Sequence, residues 1–313
     1  MTNLKVGIID LGSNTFNLLI AEIDPHGGYK PVYRSKVAVK LGEGSFEKNY
    51  ITEEAMQRAM VALDAQIMAI KNQYCDRILA FATSAVRSAS NGNIFVEKVK
   101  EQFGVTIHVI DGDMEASMIY KGVQLSGALT GEKSLIMDIG GGSTEFIIAN
   151  DEEIIWKQSY ELGVSRLLEK FKPSNPISSD EIEKIETYLQ EQVSDLFAVV
   201  KKEGVHRLIG SSGSFDTFSD VIRSKDGTFE STLEKSTLPF DFHSLQSTLN
   251  TLVRSTFAER EMMPGMIAMR IRMIVLSALF TDLVLQKMPI RTAILSRYSL
   301  KEGVLFDVLK GNL

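Results

Sequence analysis

Hydrophobic and polar positions follow one pattern that occurs twice along the chain. Val6-Gly7-Ile8-Ile9-Asp10-Leu11 runs apolar to an aspartate. It turns through Gly12, Ser13, Asn14 and Thr15 and becomes apolar again at Phe16, Leu18, Leu19, Ile20 and Ala21. A domain's length later, Leu135-Ile136-Met137-Asp138-Ile139 leads into Gly140, Gly141, Gly142, Ser143 and Thr144, then Phe146, Ile147, Ile148 and Ala149. Asp10 aligns with Asp138, Gly12 with Gly140, Thr15 with Ser143 and Ala21 with Ala149. Short runs rich in branched residues on both sides of a tight polar turn predict buried strands. A third strand is expected after each copy, at Pro31–Val39 and at Glu153–Tyr160.

Helical periodicity follows each strand trio. Thr52 caps a helix whose first turn is acidic and whose stripe is Met56, Met60, Leu63, Ile67 and Ile70. Ser178 with Glu181 fits a capping box ahead of Ile182, Ile185, Leu189, Val193, Leu196 and Val200. Further strands are predicted at Ile78–Ala82, Val105–Ile110, Arg207–Gly210 and Thr292–Leu295, with helices after Asn91 and over Leu300–Leu309. Met262, Met263, Met266, Met269 and Met273 recur at helical spacing and predict core packing. Two β-β-β-α-β-α halves describe an α/β protein of the actin-like ATPase superfold shared by actin, Hsp70 and sugar kinases. That superfold has two ribonuclease H-like domains and an interdomain cleft. The expected division is 1–125 plus a returning C-terminal helix at about 299–313, and 126–298, joined at the small-residue segment Ser126–Gly131.

Composition narrows the classes. A net charge of −6 over 313 residues, with no basic block, argues against nucleic acid as a partner and requires any polyanion to find its positive potential inside a cleft. The single cysteine, Cys75, cannot build a disulfide or a thiolate metal site, and the four histidines lack ligand spacing. The apolar stretch Met273–Leu285 is shorter than the roughly 20 residues of a membrane span. It predicts a buried helix, no membrane association and a cytoplasmic location.

The chemistry concentrates at the two turns. Three glycines at Gly140, Gly141 and Gly142 let backbone N–H groups approach an anion, and Ser143 and Thr144 add hydroxyls. Asp138 and Glu145 flank the turn, and two carboxylates beside a phosphate cradle suit a hard divalent cation such as Mg²⁺. Gly12, Ser13, Asn14 and Thr15 form the second expected phosphate clamp, with Asp10 placed like Asp138.

These loops resemble the phosphate loops of the exopolyphosphatase and guanosine pentaphosphatase (Ppx/GppA) family, whose openings read D-L-G-S-N-S/T and D-I-G-G-G-S-T-E. Thr83–Arg87 resembles the family's threonine-to-arginine segment, Gly210–Ser214 its later glycine–serine loop, and Leu300-Lys301-Glu302-Gly303 its L-R-E-G signature. The resemblance implies that Arg87, Ser212 and Gly213 face substrate phosphate. It also implies that Asp10, Asp138 and Glu145 serve a metal and that Glu115 is the general base. As a first-turn helical acid, Glu115 is expected to favour its ionised form. Met114 and Ser117 depart from the family's G-x-E-E-A-R pattern, where a glutamate and an arginine stand.

The implied activity is metal-assisted, in-line hydrolysis of terminal phosphoanhydride bonds, releasing orthophosphate from inorganic polyphosphate or guanosine pentaphosphate. A homodimer is the family expectation. An ATP-dependent kinase of the same superfold and a non-catalytic (p)ppGpp or polyphosphate binder are the alternatives.

Overall fold

The computed structural model describes residues 3–313. The first half opens with β1 (Leu4–Leu11), β2 (Thr15–Ile23) and β3 (Tyr29–Ala38), joined antiparallel. It continues through α1 (Glu53–Asn72), β4 (Arg77–Ala82), α2 (Ser84–Ser88), α3 (Gly92–Phe103), β5 (Ile107–Val109) and α4 (Gly112–Ser126). β4 and β5 add parallel to β1, giving a five-stranded sheet in the order β3-β2-β1-β4-β5.

The second half repeats this plan with β6 (Ser134–Ile139), β7 (Thr144–Ala149) and β8 (Ile154–Tyr160), again antiparallel. After them come α5 (Val164–Phe171), α6 (Ser179–Gln192), α7 (Ser194–Glu203), β9 (Arg207–Ser211) and α8 (Ser212–Lys225). The chain then forms β10 (Thr237–Phe240), α9 (Phe242–Arg254), α10 (Phe257–Glu261), α11 (Ile274–Lys287), β11 (Thr292–Ser296) and α12 (Leu300–Leu309). The six-stranded order is β10-β11-β9-β6-β7-β8.

Caps and periodicity explain the element ends. Thr52 accepts a hydrogen bond from the Ala55 N–H at the start of α1, and Ser178 with Glu181 closes a capping box on α6. The stripe from Ile182 to Val200 is divided at Val193 into α6 and α7, yet Ile185, Leu189, Val193, Leu196 and Val200 all remain buried in one cluster. β5 is confined to Ile107–Val109, shorter than the expected strand.

Alternation along the strands serves two cores. In β1, Ile9 and Leu11 face α1 and α3, whereas Val6 and Ile8 face the opposite side. That opposite side is shared by both sheets. Ile136, Ile147 and Ile209 of the second sheet meet Val6, Ile8 and Leu19 of the first through Ile119 and Val123 of α4 and Val304 and Leu305 of α12. α4 and α12 therefore lie between the sheets. They cross closely enough that a side chain on Gly303 would overlap the Met118 carbonyl, which accounts for the glycine in Leu300–Gly303.

α11 is apolar on nearly every face and buried. Among the described residues no helix is long and apolar enough to cross a membrane. The methionine stripe packs as expected in part: Met273 belongs to the second core and Met263 and Met266 pack against it, whereas Met262 is 82% exposed. The segment is not one helix, because α10 ends at Glu261 and Pro264 and Gly265 break the pattern. Met269 and Met273 also line an apolar cavity of about 470 Å³ together with Leu168, Ala38 and the stem of Arg272.

Candidate active site

The two glycine turns have the same backbone geometry. Gly12 N–H donates to the Thr15 carbonyl at 3.1 Å, and Gly140 N–H donates to the Ser143 carbonyl at 3.0 Å. In each turn a Cβ on the glycine would lie 2.9 Å from that carbonyl oxygen, so a side chain there would force the turn open. The turns also meet. A Cβ on Gly141 would lie 2.7 Å from Asn14 Nδ2 and 2.9 Å from Ser13 Cβ.

Their carbonyls are pulled away from the space between them. Ser13 O accepts from Gly42 N–H, and Asn14 O accepts from Val39 and Lys40 N–H, each at 2.9 Å. Gly140 O accepts from Val164 N–H at 3.0 Å and Gly141 O from Ser165 N–H at 2.8 Å, both at the start of α5. Gly142 O accepts from Arg166 Nε at 3.1 Å. The N–H groups of Ser13, Asn14, Gly141, Gly142 and Ser143 have no hydrogen-bond acceptor among the described residues. With acceptors tied back and donors left over, the facing turns make a site for an anion.

A polar cavity of about 120 Å³ opens at this junction, well above the roughly 10–15 Å³ needed by one water. Gly12, Ser13, Asn14, Thr15, Gly140, Gly141, Gly142, Ser143, Ser212 and Gly213 all line it, as do Asp10, Asp138 and Glu115. Three expected residues are off its wall. Thr144 is fully buried and donates its hydroxyl to the Leu162 carbonyl at 3.1 Å. Glu145, 1% exposed, stands across the β6–β7 ladder from Asp138 and accepts from Ser159 at 2.7 Å. Arg87 lies behind Glu115, donating to its Oε2 at 3.0 Å and to the Ile110 carbonyl at 2.8 Å. Asn14 is tied to the other half: its amide oxygen accepts from Ser165 Oγ at 2.6 Å, and its amide nitrogen lies 3.3 Å from Met273 Sδ.

Electrostatics correct the expectation for Glu115. Burial, reinforced by Glu145, raises its carboxyl well above the ordinary range against the pull of Arg87. The helix terminus does not overcome that loss of hydration. Burial also pushes Glu145 up to about 7, with Asp138 adding repulsion. Asp10 rises to about 6 by desolvation, opposed by Lys301 and Asn17, and burial raises Asp138 despite the Ser299 hydroxyl 2.7 Å away. Crowded, desolvated carboxylates of this kind are relieved by a hard cation.

Among the described residues no three His, Cys, Asp or Glu side chains are grouped so as to hold a metal by themselves. Asp10 and Asp138 on the wall nevertheless fit Mg²⁺, which takes one or two carboxylates and completes its shell with water and phosphate oxygens.

Sequence motifs left several wall residues unassigned. Lys36 of β3, Asp216 of α8, Arg270, Arg297, Ser299 and Lys301 also line the cavity. Ser299 and Lys301 adjoin or belong to the recognised C-terminal motif, whereas Lys36 carries no local signal. The departure at Ser117 also has a structural counterpart. Lys157 of β8 bonds both Ser117 Oγ and the Asp113 carboxylate, bringing a cation to the α4 turn from the other sheet.

A duplicated β-β-β-α-β-α fold, with its two glycine turns facing each other across a polar cavity, defines a protein of the actin-like superfold. Residues 19–312 match the Ppx/GppA phosphatase family. A solved exopolyphosphatase from Cytophaga hutchinsonii is 36% identical, with a TM-score of 0.95 over 98% of each chain. Exopolyphosphatase 1 of Mycobacterium leprae is 24% identical over 98% of this chain and 90% of its own length. Guanosine-5'-triphosphate,3'-diphosphate pyrophosphatase of Pseudoalteromonas translucida is 30% identical over 96% of this chain and 59% of its own length. The chain belongs to the Ppx/GppA phosphatase family, and it is an enzyme of the hydrolase class.

Proposed function

We propose that the chain hydrolyses the terminal phosphoanhydride bond of inorganic polyphosphate, guanosine pentaphosphate or both, releasing orthophosphate. The observation that carries this reading is the pair of facing turns with unspent N–H groups over a cavity that also exposes Glu115. The N–H groups of Ser13, Asn14, Gly141, Gly142 and Ser143 hold the terminal phosphoryl oxygens. Glu115, oriented by Arg87, takes a proton from water as the water oxygen bonds to phosphorus. The bridging P–O bond breaks on the opposite side, and the shortened chain leaves with the electron pair. A carboxylate whose proton affinity lies closer to neutrality than usual is a better match for a general base. Asp10 and Asp138 would hold Mg²⁺, which offsets phosphoryl charge when bound. Most of the acceleration comes from positioning and preorganised donors. The same division assigns residues 1–125 with 299–313 to one wall and 126–298 to the other.

The test is orthophosphate release from tripolyphosphate, long-chain polyphosphate and guanosine pentaphosphate, with and without Mg²⁺, by the wild type and Glu115→Gln. Release by the wild type that Glu115→Gln reduces supports the reading. Release that depends on an added acceptor identifies a kinase, and binding without release identifies a sensor.

A further inference from the structure

Lys157 of β8 spends its whole ammonium group on one turn of α4. It donates to the Asp113 carboxylate at 2.8 Å, to the Asp113 carbonyl at 3.2 Å and to the Ser117 hydroxyl. Ser117 in turn donates to the Asp113 carbonyl at 2.9 Å. An ammonium carries three donors, so none is left for another partner. The Asp113 side chain is 74% exposed, and an ion pair to so exposed a carboxylate contributes little stability. What the arrangement supplies is position.

That turn carries Glu115. Asp113 and Ser117 are four residues apart and share one face of α4, so Glu115, two residues from each, projects from the other. The second face looks into the cavity, where Arg87 of α2 holds Glu115 Oε2 at 3.0 Å. The first turn of α4 is thus gripped on its outer side by β8 and on its inner side by Arg87. The outer grip is close: a Cβ on Gly112 would lie 2.5 Å from Ser159 Cβ. Lys157 and Ser159 lie on one side of β8, and Ser159 donates to Glu145 at 2.7 Å. β8 is the edge strand of the second sheet, and β7 joins it to the Gly140–Ser143 turn. One strand therefore touches both the helix that bears Glu115 and the carboxylate opposite Asp138.

We infer that Lys157 is a positioning residue for Glu115. By tying the first turn of α4 to β8 it fixes the separation between Glu115 and the Gly140–Ser143 turn, two groups borne by different halves of the fold. The inference rests on the proposed hydrolase reading and adds to it a residue that touches neither substrate nor metal. Without the tie α4 keeps its cap, in which Asp111 accepts from Met114 N–H at 2.8 Å, and its packing against α12. The helix then persists, but its first turn is free to shift relative to the glycine turn. Proton transfer is sensitive to such a shift, because a misplacement of about 1 Å costs about 10²-fold in rate.

Orthophosphate release from tripolyphosphate with Mg²⁺ tests this in Lys157→Met, Glu115→Gln and the double variant. Lys157→Met is expected to lower kcat about 10- to 100-fold and to leave KM and Tm close to the wild-type values. In the Glu115→Gln background the same substitution is expected to cost no further rate, because the group it positions can no longer take a proton. Lys157→Arg is expected to keep most of the wild-type rate. Ser117→Ala removes an acceptor from the helix side and is expected to lose a smaller part of kcat, which keeps the test valid should Lys157→Met fold poorly. A wild-type kcat in Lys157→Met, a loss confined to KM, or an equal loss with and without Glu115 overturns the positioning role and leaves the hydrolase reading in place. No orthophosphate release by the wild type from tripolyphosphate, long-chain polyphosphate or guanosine pentaphosphate overturns both.

Discussion

The β1–β2 and β6–β7 hairpins share a turn, a glycine and an aspartate at the end of the first strand, yet behind that aspartate they differ in charge. In the first copy Asp10 faces Asn17, whose amide donates to it at 2.9 Å. In the second copy Asp138 faces Glu145, and the local hydrogen bond comes from Ser299, outside the hairpin. Both turns leave N–H groups unspent, but the residue opposite the aspartate differs: the first copy carries one carboxylate held by a neutral amide, and the second carries two facing carboxylates. A cation at Asp10 and Asp138 would relieve more repulsion on the side of the second copy.

The largest expected effect is at the residue both hairpins surround. Glu115→Gln is expected to lower turnover about 10²- to 10⁴-fold while ligand binding persists, because only proton transfer is removed. Comparable turnover by the variant takes Glu115 out of the chemistry.

Glu145→Gln makes the second hairpin resemble the first. The Mg²⁺ concentration for half-maximal activity should rise about 10- to 100-fold, the usual cost of changing a group behind a metal ligand. An unchanged Mg²⁺ requirement breaks the comparison at its centre.

Asn17→Asp makes the reverse change. It replaces a partly buried amide–carboxylate hydrogen bond by two facing carboxylates and should destabilise the fold by about 1–3 kcal/mol in the absence of cation, read by denaturant titration. Full recovery by Mg²⁺ would show that either hairpin can host the cation.

The pH dependence is expected to be the mildest effect. Asp10 and Glu145 titrate at about 6 and about 7 in the fold, against ordinary values of 3.8 and 4.5. A carboxyl whose folded value is raised favours folding while protonated. Without Mg²⁺, Tm should therefore fall as pH rises through that window, and the fall should be smaller with Mg²⁺. The rate should run the other way, declining as pH falls because protonated Glu115 cannot act as a base, with the decline beginning above the usual carboxylate range. A Tm that climbs from acid to neutral pH would contradict the burial assigned to these groups.

Local signals explain what could be read from sequence. The hairpins, the caps at Thr52 and Ser178 and the helix at Leu300–Leu309 each lie within a few residues of the features that cause them, and the repeat related the halves. Locality served less well at Met262–Met273: Met263, Met266 and Met273 do pack at the core, but Pro264 and Gly265, the latter at φ 84°, interrupt the helix and leave Met262 exposed. The resemblance points Arg87 at substrate phosphate and gives no sign of its bond to Glu115, because that contact spans 28 positions and depends on how β4 and α4 pack. The raised Glu115 carboxyl likewise depends on burial and on Glu145, neither visible in its own helix turn. Lys36 and Arg270 meet only through tertiary structure, and no motif could join them.

The most direct measurement is a crystal structure of Glu115→Gln with Mg²⁺ and tripolyphosphate. The terminal phosphoryl oxygens are expected within hydrogen-bonding distance of backbone N–H groups from both the Gly12–Thr15 and the Gly140–Ser143 turns, with Mg²⁺ at Asp10 and Asp138. A phosphate held by one turn alone, or bound outside the cavity between them, would contradict the shared cradle.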